Sequence, residues 1–288
     1  MENQNLSDLN IKRIAGSIAF SPKAATLISK TIKLSSLLNA QPFFIHVGEK
    51  TAETEEKMEQ LFGELNFKSS DYKIIWKQGD PVNEVVDFCN EFEIDLIIAG
   101  ALNKENILKF YFGSVARGIS RKANCSVLML IDKEKKHIPF DKIVVEANDS
   151  NNSFAVRLAN LFAINLNSKR LILVNESHNP AMALSMADSA PAEEVKNIRK
   201  AIKEEQKQEV ESLSLECIQD NLKIITRTIE GKHGFAISKY AREVDADLLV
   251  VNSPDRQMRF LDRLFTHDIE YILADLPCNL LIAKQREL

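Results

Sequence analysis

The chain has 288 residues, 45% of them hydrophobic and 27% charged, with a formal net charge of −4. That length exceeds one ordinary core and suits two domains, and the mild acidity excludes a general electrostatic role on nucleic acid or an acidic membrane. No apolar run reaches the ~18 residues of a spanning helix, the start "MENQNLSDLN" lacks the basic and apolar parts of a signal peptide, and Cys89, Cys125, Cys217 and Cys278 form no C-x-x-C pair, so reduced, buried thiols in a cytoplasmic protein are expected.

Taken in order, "RIAGSIAF" (13–20) reads as a strand and 23–39 as a helix, with Leu27, Thr31, Leu34 and Leu38 at helical spacing. A strand follows at 42–47, then a helix over 51–65 with acidic residues in its first turns. Next come a strand at 72–78 and a helix opened by Asp80-Pro81, a good N-cap and N1 pair. "IDLIIAG" (94–100) is a buried strand, Ser114–Asn124 a helix and "SVLMLI" (126–131) a last strand. This alternation predicts an α/β fold: an open, mostly parallel five-stranded sheet with helices on both faces.

The pattern is then written a second time. "IKRIAGSIAFS" (11–21) returns as "FDKIVVEANDS" (140–150), an offset of 129 (143 − 14), and "DLIIAG" (95–100) returns as "DLLVVN" (247–252), an offset of 152 (247 − 95). "GSVARGI" (113–119) matches "FTHDIEY" (265–271) at the same 152. A period this long marks duplicated domains rather than solenoid units. The predicted domains are 1–135 and 139–288, joined by the charged "DKEKKHIPFD" (132–141), with an insertion at about 179–205 in the second. That insertion is expected to add a loop and a lengthened, mixed-charge helix over 193–211, and no strand. Each copy's last strand would leave an exposed edge, so "SVLMLI" and "NLLIAK" are expected to pair antiparallel.

In open α/β sheets ligands sit at the carboxyl ends of the strands, where Ser21, Val47 and Gly100 fall. Gly113-Ser114 opens a helix there, and unpaired N–H groups at a helix start favour an anion. These residues resemble the universal stress protein family, over nearly the whole chain as two tandem domains of the adenine nucleotide alpha hydrolase-like fold forming an intramolecular pseudo-dimer. Nucleotide-binding members carry G-x2-G-x9-G-(S/T) after the fourth strand; here Gly100, Asn103, Gly113 and Ser114 keep the spacing, followed by Val115. The resemblance further implies an Asp-x-Ser at the end of the first strand, replaced here by Ala19-Phe20-Ser21, and a valine against adenine, at Val47. The implied ligand is ATP or another adenine nucleotide in the first domain, bound by Ala19, Val47, Gly100, Asn103, Gly113, Ser114 and Val115.

The second copy keeps the spacing but none of the glycines: Asn252, Asp255 and Phe265-Thr266 stand in their place, and Asn148 replaces the first-strand aspartate. Phe265 would block a close backbone approach, and Asp268 and Glu270 would repel phosphate at that helix start. The first copy has no acid there and carries Arg117. The expected role is a stress-response binding and regulatory module without turnover, with a protein partner or self-association open. A slow ATPase or nucleotidyl transferase-like enzyme is the alternative, as is a purely structural partner-binding protein without nucleotide. His46 is expected as a partly buried structural histidine and His233 in a solvated loop. No carboxylate pair or metal-ligand spacing stands out in the sequence.

Overall fold

A computed structural model describes residues 9–65, 67, 72–100, 102–103, 110–111, 113–131, 140–148, 153–177, 204, 208, 210–214, 217, 221–253, 269 and 271–286. These form two compact units, one of Leu9–Ile138 with Asn279–Leu288, the other built on Pro139–Cys278.

The first unit runs β1 (Arg13–Ile18), α1 (Ala24–Leu37), β2 (Gln41–Val47), α2 (Ala52–Glu64), β3 (Lys73–Lys77), α3 (Pro81–Glu91), β4 (Leu96–Gly100), a pair of two-residue strands β5 (Leu102–Asn103) and β6 (Phe110–Tyr111), α4 (Ser114–Lys122) and β7 (Ser126–Leu130). Asp80 caps α3 by accepting from the Asn83 N–H, with Pro81 behind it, and Thr51 with Thr54 closes a capping box on α2. The second unit runs β8 (Lys142–Glu146), α5 (Ser153–Asn165), β9 (Arg170–Ser177), β10 (Lys223–Glu230), α6 (Phe235–Glu243) and β11 (Leu248–Asn252). The last strand is β12 (Asn279–Ala283).

Sheet order is β12-β7-β4-β1-β2-β3 in the first unit and β10-β9-β8-β11 in the second. Every described pairing in these two runs is parallel except β12 with β7. Strands buried on both faces carry the near-continuous apolar runs that parallel sheets require: Leu96, Ile97 and Ile98 in β4 and Ile143, Val144 and Val145 in β8 are fully buried.

The duplication is visible in backbone detail. Asn39 after α1, Glu93 after α3, Asn167 after α5 and Asp245 after α6 are the positive-φ non-glycine residues. At each, two N–H groups turn back onto the last helical carbonyls, as in Asn39 to Ser36 with Ala40 to Ser35, and Asp245 to Arg242 with Ala246 to Ala241. That is the Schellman arrangement, which ends the helix and aims the chain at the next strand. Asp95 accepts from the Lys12 and Arg13 N–H groups at the start of β1, and Asp247 accepts from Lys142 at the start of β8.

The sequence reading carries the second domain to residue 288, whereas Asn279–Leu288 packs with the first unit. The two terminal strands pair antiparallel as expected, Leu280 opposite Met129, Leu281 opposite Leu128 and Ile282 opposite Val127. The physical reason is β7's otherwise open edge. Side chains reinforce the pairing: Asn279 Oδ1 accepts from the Ile131 N–H, and Lys284 Nζ donates to the Ala123 carbonyl. The short β5–β6 pair, whose second strand lies in the nine-residue spacer, has no counterpart in the sequence reading. Residues 204, 208 and 210–214 are helical, in line with the mixed-charge helix, while the expected loop at 179–192 lies outside the described residues. All four cysteines are buried thiols, and a hydrogen bond between the Cys89 thiol and Cys125, together with burial, pushes Cys89 well up. Among the described residues no helix is long and apolar enough to cross a membrane.

Leu281 is fully buried and Leu37 is 37% exposed. Leu281→Ala is expected to lower unfolding free energy by about 2–5 kcal/mol, and Leu37→Ala by less than about 1 kcal/mol, as measured by urea denaturation.

Candidate functional site

A crossover helix runs back against its parallel strands, so its N-terminus lies at the sheet's carboxyl edge. In the first unit Ile18 is in register with His46, and Gly16 with Ile98. Continuing these registers, Gly100 comes level with Ile18 two residues on, and Val47 with Ala19 one residue on. The structure thus brings Ala19, Val47 and Gly100 to one edge, with Ala19 and Gly100 exposed and Val47 half-buried. Val47 continues the side of β2 on which Phe43 meets Phe92 at the end of α3. Helix α3 packs with α4, whose first residue is Ser114.

Helix α4 begins at Ser114 as expected, with Gly113 as the N-cap and no side-chain cap bond. Gly113 has φ −64° and ψ 167°, an extended conformation open to any residue, so its value is the absence of a side chain rather than left-handed freedom. Ser114 and Val115 are exposed, and no acid lies in the first turn. The helix therefore presents an uncapped positive end. Asn103 sits in β5 opposite Phe110.

An aromatic group covers the neighbouring edge. The Phe20 ring lies 4.6 Å from His46, and His46 meets Trp76 edge-on at 4.9 Å. His46 is buried, with Nδ1 2.9 Å from the Ile18 carbonyl. On the α1 side, Lys23, Thr26, Leu27 and Lys30 face Gly100, Leu130 and Ile131 across a half-open concavity of about 270 Å³.

The second unit fills the same edge differently. Lys142 is in register with Arg170 as Arg13 is with Gln41, so a shift of 129 maps Ser17, Ala19 and Val47 onto Glu146, Asn148 and Glu176. Glu176 is buried, 3% exposed, and accepts the Ile237 N–H (2.8 Å) and Gly234 N–H (3.2 Å) of α6. His233 Nδ1 stands 2.9 Å from Glu176 Oε2 and 4.0 Å from Glu146 Oε1. Glu146 also accepts from Asn148 Nδ2 at 2.7 Å and from the Asn252 N–H at 3.0 Å. Burial, opposed by that N–H, holds the Glu146 carboxyl above its usual range, and the neighbouring Glu176 pushes the same way. His233, expected in a solvated loop, is instead a side chain only 18% exposed between two carboxylates. The blocking residues Phe265, Thr266, Asp268 and Glu270 lie outside the described residues.

The universal stress protein family model matches residues 31–130 and again 139–284. The chain belongs to the universal stress protein family. Among its relatives are the stress response protein NhaX of Bacillus subtilis, 29% identical over 80 residues (26% of this chain, 48% of that one), and universal stress protein MJ0577 of Methanocaldococcus jannaschii, 32% identical over 80 residues (28% and 49%). The chain thus matches about half the length of these curated relatives. Its fold is that of a universal stress protein from Archaeoglobus fulgidus (TM-score 0.62, 14% identity, 94% and 98% of the two chains) and of PA1789, a Pseudomonas aeruginosa protein of unknown function (TM-score 0.66, 16% identity, 96% and 93%).

In this universal stress protein the Glu146–Glu176–His233 group escaped the sequence reading, since its members are 30 and 57 residues apart (176 − 146 and 233 − 176). One signal was available. Glu176 ends the apolar strand "RLILVN" at the position of Val47, and an acid following such a run demands a buried partner. The partner is the start of α6, where Gly234 has φ 72° and turns its N–H to Glu176. Gly234→Ala is expected to destabilise the protein by about 1–2 kcal/mol, more than Gly63→Ala in α2, where an added methyl meets nothing within 4 Å. Denaturant unfolding of both variants checks the order.

Proposed function

We propose that this universal stress protein is a non-catalytic regulatory binding module whose first unit takes an adenine nucleotide between Ala19, Val47, Gly100 and the start of α4. The observation that carries the reading is the contrast between equivalent positions. The first unit offers Ala19 and Val47 beside an acid-free helix start. The second places Asn148 and Glu176 at the matching strand ends, with Glu146 alongside, so two carboxylates stand where the first unit has Ser17 and Val47. An anion is favoured at the first edge and repelled at the second. The family setting agrees with this, since a universal stress protein is known in complex with cAMP and another, from Archaeoglobus fulgidus, in complex with dAMP.

Binding should be weak. Ala19 cannot accept the hydrogen bonds that the family's aspartate would, each about 1.5–3 kcal/mol. The same replacement removes the carboxylate that a hydrolytic reading would call on, which favours binding without turnover.

Calorimetry with ATP tests this. Wild type should bind in the first unit, Gly113→Phe should abolish binding, Thr266→Ala should leave it unchanged, and Ala19→Asp should tighten it roughly tenfold or more. Equal loss in the Gly113 and Thr266 variants, or tight binding that survives Gly113→Phe, would place the ligand elsewhere. Steady phosphate release above the solution background would identify an ATPase instead.

A further inference from the structure

We propose that the second unit holds a divalent transition-metal ion on Glu146, Glu176 and His233. The three side chains come from the ends of β8 and β9 and the turn before α6, and their ligand atoms lie within 4.8 Å of one another. Ions such as Zn²⁺ or Mn²⁺ bind nitrogen and carboxylate oxygen at about 2.0–2.2 Å. Two ligands at right angles on such an ion stand about 2.9–3.1 Å apart and two opposed ligands about 4.2 Å apart, by the same bond lengths. The observed 2.9 Å from His233 Nδ1 to Glu176 Oε2 and 4.0 Å to Glu146 Oε1 fall on that scale.

The surroundings are those of ligands held in place. Glu176 is fixed by two backbone N–H groups of α6, and Glu146 by Asn148 Nδ2 and the Asn252 N–H. Coordinating carboxylates are ordinarily oriented by such outer bonds.

The donor set points the same way: two carboxylates and one imidazole converge from three separate elements. A dication offsets both acids while His233 remains neutral, the form in which imidazole binds metal. Imidazole beside carboxylates suits Zn²⁺ or Mn²⁺ better than Mg²⁺ or Ca²⁺, which take all-oxygen sites.

The test uses the full chain, stripped with EDTA and titrated with Zn²⁺ or with Mn²⁺ in calorimetry, with bound metal counted after dialysis. One ion per chain is expected, with a rise in the thermal midpoint. His233→Ala and Glu146→Gln should each weaken binding at least tenfold, and Glu91→Gln in the first unit should not. X-ray absorption of the zinc-loaded protein should show only nitrogen and oxygen neighbours. Wild-type protein that retains no stoichiometric metal, or a spectrum with sulfur neighbours, overturns the proposal, whatever the variants do. Unchanged affinity in a folded His233→Ala protein would do the same and leave the group as an anchor for α6.

Discussion

Parallel pairing is the constraint on which the rest of this protein depends. A parallel neighbour can be reached only through a crossover, so each strand must be followed by a segment that returns across the sheet. All carboxyl ends therefore share one edge, and the helices that follow them begin there. Register then fixes which residues meet at that edge: Arg13 opposite Gln41 in one unit, Lys142 opposite Arg170 in the other. Two copies with the same register present the same positions to solvent. What each copy does is decided by the side chains at those positions and by the charge they leave at the helix starts.

The matching strand ends carry different chemistry in the two units. In the first, β2 ends on Val47, and α3 is capped by its own Asp80. In the second, Glu176 stands at the position of Val47 and takes two of the first N–H groups of α6, the counterpart of α3. A buried carboxylate is tolerated only when its desolvation is offset by such bonds. Once offset, it holds the strand and the helix in a fixed relation. Between the two copies the positions of Ser17 and Val47 have become Glu146 and Glu176, which puts two carboxylates on one edge where the other has none at those positions.

Much of the fold was legible in the sequence because its signals are local. Asp80-Pro81 marks the start of α3, the apolar runs "DLIIAG" and "DLLVVN" mark the buried strands, and the repeated spacing marks the duplication. Ala19, Val47 and Gly100 could be grouped because each ends a strand of one parallel sheet. What sequence could not supply were facts of pairing between distant segments. The pairing of β12 with β7 could be expected from their open edges, but not that Asn279 and Lys284 would fasten it to Ile131 and Ala123. The burial of His233 depends on where β8 and β9 end, since a histidine in "EGKHG" looks like any loop residue until two carboxylates close around it.

Gly113 shows how a correct motif can rest on the wrong physics. A glycine before a helix is commonly explained by its freedom at positive φ, yet this one has φ −64°. Any residue could adopt that backbone. Its contribution is the empty space in front of the helix N–H groups, which matters only if something approaches them. Gly234, at φ 72° before α6, is the reverse case. There the backbone itself requires glycine, because only that turn brings the Gly234 N–H onto Glu176. The two helix starts thus use glycine differently: at Gly113 the backbone would admit any residue, whereas Gly234 holds the turn that completes an internal bond.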